Sequence, residues 1–220
     1  MAFEGSKTLA EQIANHLSSQ IIQSALSPGQ RIFEAKLATE LGVSRSPIRE
    51  AFRMLEKRRL IEVLPHRGAR VTEISPSSIR WLLDLLTELH VLMARRTAEI
   101  GGEQDHQELR RVYEKMEHDA RAGNREAYYR GMFEFSSLLR RAVQNPMIDE
   151  VMNDFEPSLR RTIYATISRR REDLRENVRF VERIVENIEA RDVEKADGAV
   201  RAYGQHEKDL ALAVFDDGGL

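Results

Sequence analysis

LATELGVSRSPIREAFRMLEKRRL, residues 37–60, decides the reading of this chain. Ile48, Ala51, Phe52 and Leu55 recur at three- and four-residue steps, which is one face of a helix. A shorter helix is expected before it, over 34–41, carrying Leu37 and Leu41. Gly42 follows at once, where a left-handed residue closes a helix at least cost. Ala38 is small, which suits close approach of the second helix. Ser44 and Ser46 are good N-caps, and Pro47 fits a first turn, where its missing N–H is not needed. The second helix is therefore expected from near Ser46 to near Arg58. With its apolar face buried, Arg45, Arg49 and Arg53 share another face, four residues apart each time. This is the pattern of a helix that enters the major groove of DNA. Arg45 sits at the tip, in reach of a guanine edge through two hydrogen bonds, and Arg53, further back, suits a phosphate. Ser44, Ser46 and the free N–H groups of the first turn can hold phosphate as well. The competing reading is that the arginines are only a solvated face.

The flanking residues bear on that choice. Leu60-Ile61-Glu62-Val63-Leu64 and Ala69-Arg70-Val71-Thr72 are two β-prone runs around Pro65-His66-Arg67-Gly68, which reads as a hairpin with a basic tip. A basic hairpin beside such a helix is a wing that lies along a groove. Upstream, Thr8–Ser24 is a helix with Leu9, Ile13, Leu17 and Ile21 on one stripe, and Ser27-Pro28-Gly29 breaks the chain after it.

The segment Pro28–Val71 resembles the winged helix-turn-helix of the GntR family of bacterial regulators. The resemblance implies DNA contacts at Ser44, Arg45, Ser46, Pro47 and Arg49 and at the wing turn His66, Arg67 and Gly68. Lys36 stands where relatives often carry arginine and is counted with the DNA-contacting residues, as is Arg53. Arg59 stands where relatives have a glycine, which puts a non-glycine residue at a helix end.

Charge supports the placement. Residues 1–75 hold 11 Lys/Arg against 8 Asp/Glu, a net of +3, and the remainder holds 23 against 28, a net of −5. Phosphate binding needs the positive end, and the acidic remainder repels DNA. The chain has no run of 18 apolar residues, so no membrane span is expected. Met1-Ala2-Phe3-Glu4-Gly5 does not read as a signal sequence. The absence of cysteine removes disulfides, thiolate metal sites and thiol nucleophiles, and a cytoplasmic protein is expected.

A polar stretch at 73–78 marks a domain boundary, giving a DNA-binding domain over 1–75 and a second domain over 76–220. From Pro76 on only helical patterns occur, over 77–100, 104–122, 125–143, 146–168, 174–190 and 192–214. Six helices with short connections make an antiparallel bundle, so the fold is expected to be mainly α. This half resembles the FCD-type effector domain of the FadR branch of the GntR family, through its helix count, Phe135, the Asn145-Pro146 helix start, and Ile188, Asp192 and Ala196.

Many domains of that type hold a metal with one Asp and three His. Placed on the family pattern, those positions fall on Met132, Ser136, Val181 and Tyr203, and a family Glu on the first bundle helix falls on His90. Thioether and valine are poor ligands for zinc, manganese or nickel, so neither a metal nor another cofactor is expected. The same five residues would wall an effector cavity less polar than the family's, or else simply fill the core. Arg160 and Arg161 are candidates to hold a carboxylate, with helix phase alone leaving open which points inward. Glu103-x2-His106 has the spacing of half a di-iron ligand set and reads instead as a solvated first turn.

No Gly-rich phosphate loop, HExxH, GxSxG or Cys–His pair is present, so an enzyme is not expected. The expectation is a homodimeric, DNA-binding regulator, by family habit a repressor, reading a short inverted repeat in double-stranded DNA. A small molecule in the bundle modulates it. The alternative is a helical assembly protein whose winged module binds protein.

Overall fold

The computed structural model describes residues 8–65, 67–167 and 173–216. Among these the chain is mainly helical, with one small sheet: α1 (Leu9–Ile22), β1 (Arg31–Ile32), α2 (Glu34–Leu41), α3 (Arg45–Lys57), β2 (Ile61–Leu64), β3 (Gly68–Val71), α4 (Pro76–Ile100), α5 (Glu103–Arg121), α6 (Arg125–Val143), α7 (Pro146–Ile167), α8 (Leu174–Glu189) and α9 (Val193–Asp216). The residues group into two compact units. The first holds residues up to Ser75 together with α7 from Asn153 onward, and the second holds the other helical residues.

In the first unit α1 begins with a capping box: Thr8 Oγ1 accepts from the Glu11 N–H at 3.2 Å and Glu11 Oε2 accepts from the Thr8 N–H at 2.7 Å. Ile13, Leu17 and Ile21 are buried as their spacing predicts. Leu9 is exposed, and Ala10 and Ala14 take the close contacts instead. The core joins these to Ile48, Ala51, Phe52 and Leu55 of α3, with Leu37, Leu60, Ile61, Ala69 and Val71. Burial of Ile48, Phe52 and Leu55, at about 2 kcal/mol each, stabilises α3 far beyond its own helix propensity. Gly42 ends α2 in the left-handed region at φ 65°, as expected. Leu41 is exposed rather than part of the core.

The sheet has three strands in the order β1-β3-β2, all antiparallel. The hairpin was legible; β1 was not, being two residues long. Its partner explains Gly68, which has φ 84° and where a Cβ would meet the Ile32 carbonyl oxygen at 2.2 Å. Arg59 adopts φ 59°, the left-handed turn that ends α3, with the Leu60 N–H bonded to Leu55 O at 3.0 Å. A side chain thus occupies a conformation that glycine adopts without penalty.

The C-terminal part of α7 completes this unit. Ser158 Oγ donates to the Arg58 carbonyl at 2.7 Å, and Lys57 pairs with Asp154 at 2.9 Å, so the last turn of α3 is held from outside. Arg161 is only 5% exposed. It donates to Thr72 Oγ1 at 2.7 Å and to the Thr72 carbonyl. Burial pulls its guanidinium down to about 10. Arg161 is therefore the inward member of the Arg160-Arg161 pair, and among the described residues its hydrogen bonds go to Thr72.

The second unit is the bundle α4–α9, without the end of α7. Its breaks fall where the sequence places them. Asn145 Oδ1 caps α7 by accepting from the Met147 N–H at 2.9 Å. Arg191 turns left-handed at φ 55° between α8 and α9, and its side chain donates to the Gly101 carbonyl at 2.9 Å, satisfying the end of α4. Among the described residues no helix is long and apolar enough to cross a membrane.

Candidate functional site

The exposed side of α3 is built from its N-terminus. Ser44 is the N-cap, extended at ψ 166°, and its hydroxyl makes no capping bond. The hydroxyl is thus left uncapped at the positive end of a helix. Ser44, Arg45, Ser46, Arg49 and Arg53 are all exposed, and Pro47 is half-buried in the first turn. Arg45 and Arg53 have no hydrogen-bond or ion-pair partner among the described residues. Arg49 differs: its Nε donates to Glu34 Oε2 at 2.9 Å. Glu34 lies in the first turn of α2, so that pair fixes Arg49 across the turn. Spacing alone could not show this. Lys36 is an exposed residue of α2 that pairs loosely with Glu40 at 3.7 Å.

At the wing, Arg67 is exposed and its N–H donates to Leu64 O at 3.0 Å, closing the turn that Gly68 permits. His66 lies outside the described residues. On the strands behind, Arg70 donates to Glu62 at 2.8 Å, which neutralises that positive charge within the wing. Arg45, Arg49, Arg53 and Arg67 thus belong to one unit, with Lys36 and Ser44 on the same short segment.

The bundle interior is a second candidate. His90 on α4 has Nδ1 at 2.7 Å from the Leu86 carbonyl and Nε2 at 2.8 Å from Ser136 Oγ on α6. A carbonyl only accepts, so Nδ1 carries a hydrogen, and in the neutral ring Nε2 then accepts from the serine hydroxyl. Tyr203 on α9 places its hydroxyl 3.3 Å from that of Tyr128 on α6. Burial, with Tyr128 and Glu207 nearby, holds the Tyr203 phenol well above its ordinary value. Val181 is buried on α8, and Met132 is half-buried on α6. Direct polar contact therefore joins His90 with Ser136; Tyr203 bonds to Tyr128, outside the expected set.

Residues absent from the sequence expectation continue this polar interior. Asn177 is fully buried, and its Oδ1 accepts from His206 Nε2 at 2.8 Å while its Nδ2 donates to Glu207 at 3.3 Å. Phe180 stacks on His206 at 4.7 Å and on Tyr203 at 6.0 Å. A signal did exist: Asn177 falls on the stripe Leu174, Val178, Val181, Val185, Ile188, where a polar residue is out of place. The family-type metal set does not fit here. Met132 and Val181 offer no ligand atom of the right kind, and among the described residues no group of three His, Cys, Asp or Glu is placed to hold a metal.

His106 departs from expectation. It is 6% exposed, with Nε2 at 3.4 Å from the Thr97 carbonyl, while Glu103 is exposed. The first turn of α5 is thus not wholly solvated. Gly101 makes room: a Cβ there would stand 3.0 Å from His106 Nε2.

Two family models match separate stretches of the chain. A model of bacterial regulatory proteins of the gntR family matches residues 9–71, and a model of the FCD domain matches residues 82–206. The chain is 27% identical to the HTH-type transcriptional regulator YdhC of Bacillus subtilis, over 94% of this chain and 92% of that one. It is 25% identical to the gluconate operon transcriptional repressor of Bacillus licheniformis, over 94% and 82%. Among solved structures, McbR/YncC of E. coli aligns with a TM-score of 0.76 at 21% identity, over 94% of this chain and 99% of that one. A GntR regulator from Rhodococcus aligns at 0.71 and 19% identity, over 94% and 98%.

Proposed function

This chain belongs to the GntR family of bacterial regulatory proteins, with an FCD domain after its winged helix, and we propose that it represses transcription by binding an inverted-repeat operator as a homodimer. It is a transcriptional regulator and not an enzyme. The reading rests on one observation: the outer face of α3 carries Arg45 and Arg53, without partners among the described residues, beside an N-cap hydroxyl that makes no capping bond. Arg45, with Arg49 held by Glu34, reads base edges; Ser44, Ser46, Pro47 and the first-turn N–H groups seat a phosphate. Lys36, Arg53, Arg67 and Gly68, with His66 at the wing tip, follow the backbone. Two such helices related by a two-fold axis read the two halves of the site. Repression is preferred to activation because curated relatives include repressors.

The bundle holds a small molecule among His90, Met132, Ser136, Val181 and Tyr203, bound without a metal, and that ligand shifts the population of the DNA-competent dimer. The polar groups of this interior, His90, Ser136 and Tyr203, favour a neutral ligand with hydrogen-bonding groups on an apolar frame. The protein acts in the cytoplasm, where its operator lies.

Selection of duplexes from a random pool, followed by gel shift, tests the reading. An inverted repeat is expected, and Arg45→Ala together with Arg49→Ala abolishes the preference for it. Equal binding by the doubly substituted protein refutes the assignment of α3, and no DNA binding at all favours a protein-binding winged module. A thermal-shift screen of metabolites against the purified protein, with operator release as second readout, tests the ligand.

A further inference from the structure

Phe33 breaks two local rules at once. It is 50% exposed, the most exposed large apolar side chain among the described residues of the first unit. It is also the N-cap of α2, extended at φ −98° and ψ 125°, with no side-chain bond to the helix it precedes. Ser, Thr, Asp or Asn at that position would accept from a first-turn N–H, and phenylalanine has no atom to do so. The core of the unit passes it by: Ile32 before it and Leu37 after it are buried there, and Phe33 is not among the side chains packed against them. A large apolar residue that neither caps its helix nor fills the core violates local preference without an internal gain. Such violations mark places where function overrides stability.

The position of Phe33 identifies its partner. The next residue, Glu34, holds Arg49 of α3 at 2.9 Å. On the other side lies the wing: a Cβ on Gly68 would stand 3.2 Å from the Phe33 Cα, so the chain at Phe33 runs directly against the wing turn. Phe33 thus lies between the recognition helix and the wing. With α3 in the major groove and the wing along the neighbouring groove, the wall between them is one sugar–phosphate strand. Such a strand presents phosphates in alternation with the C–H faces of deoxyribose. Cationic side chains flank Phe33 for the phosphates: exposed Lys36, three residues on and on the same side of the first turn, and Arg67 in the wing turn. The sugar face calls for an apolar partner, which only an exposed side chain such as Phe33 can give. From Val43 to Val71 the chain holds 8 Lys/Arg against 3 Asp/Glu, a setting that suits nucleic acid better than an apolar protein surface. We propose that Phe33 packs on a deoxyribose of the strand that separates the two grooves, with Lys36 on a flanking phosphate. The contact carries no base code. It fixes the depth and angle at which α3 enters the groove.

This inference rests on the reading of α3 as the helix that enters DNA, and adds the residue that seats it. The full chain is titrated across a salt series onto a labelled duplex selected from a random pool, with anisotropy as the readout. Phe33→Ala is expected to weaken binding about 10-fold, with the dependence of log affinity on log salt as steep as in wild type. Lys36→Ala is expected to make that slope shallower by about 1. Phe33→Ser separates contact from capping. Its hydroxyl can cap α2, so this variant should melt about 2–4 °C above Phe33→Ala and yet bind no better. Affinity that returns along with the melting temperature would make Phe33 a structural residue and overturn the proposal, as would wild-type affinity in Phe33→Ala. Trp81 is the only tryptophan in the chain, which permits a direct reading of the contact. In a chain carrying both Trp81→Phe and Phe33→Trp, emission is expected to shift to the blue when the duplex is added. An unmoved emission with intact binding overturns the role of Phe33 and leaves the reading of α3 standing. A wild-type chain that binds no duplex overturns both.

Discussion

Two helices, α3 and α8, carry polar residues on regular amphipathic frames, and the difference between them separates function from stability. On α3 the polar residues lie on the outer face, and Arg45 and Arg53 have no partner within the described chain. On α8, Asn177 lies on the inner stripe, and both ends of its amide are bonded to α9 through His206 and Glu207. A buried amide must be satisfied from within, because leaving it bare costs roughly 1–3 kcal/mol. An exposed guanidinium carries no such obligation and is available to a ligand. The first arrangement points outside the molecule; the second keeps the bundle in register.

That contrast can be broken experimentally. Arg45→Ala should cost about 1–3 kcal/mol of operator affinity, mostly as lost sequence preference, while leaving the melting temperature unchanged. A parallel loss of melting temperature would show that the arginine is structural after all. Asn177→Ala should do the reverse. It should destabilise folding by about 2 kcal/mol, read as a lowered denaturant midpoint, and leave operator affinity near wild type at low temperature. Arg59→Gly lies between the two regions in kind, because it alters backbone preference and leaves the exposed arginine face of α3 intact. Relief of the left-handed backbone at φ 59° should stabilise the protein by about 1 kcal/mol, and an unchanged or lower midpoint would contradict it.

The smallest expected effect concerns acid. Asp192 caps α9, and its carboxyl is held below the usual carboxylate range by the Lys195 ammonium and then by the Lys195 N–H. Its folded value is lower than its unfolded one. Its contribution is therefore full above the usual carboxylate value of about 4 and is lost as pH falls through the folded value. Wild type and Asp192→Ala should differ in melting temperature at neutral pH and converge in acid. A gap that persists at low pH would mean that the carboxylate charge is not what matters.

Much of this was legible in the residues because the signals are local. Gly42, Ser44 and Pro47 set the ends of α2 and α3, and Ile48, Phe52 and Leu55 set the phase that puts Arg45, Arg49 and Arg53 outside. The six bundle helices were legible from breaks such as Gly101-Gly102 and Asn145-Pro146. What stayed hidden depends on partners distant in sequence. Strand β1 has two residues and no alternation to detect, and only Gly68 across the sheet explains it. Glu34 reaches Arg49 across a turn, which no single-helix periodicity contains. His90 meets Ser136, and Asn177 meets His206, through the order in which helices pack. Helix phase says that a side chain points inward but not which neighbour it finds. His106 was misplaced because the missing Cβ of Gly101 opens a space that a charged first turn does not advertise.

The tie from α7 to the winged-helix head has a consequence for modularity. Ser158 and Arg161 supply hydrogen bonds to Arg58 and Thr72, so the head takes its last partners from a stretch encoded long after its own final strand. Severed after Ser75, it would expose the carbonyls those side chains now cover. The head is thus not a portable cassette, and grafting it onto a foreign sensor would require carrying, or re-inventing, one face of a helix that belongs to another stretch of the gene.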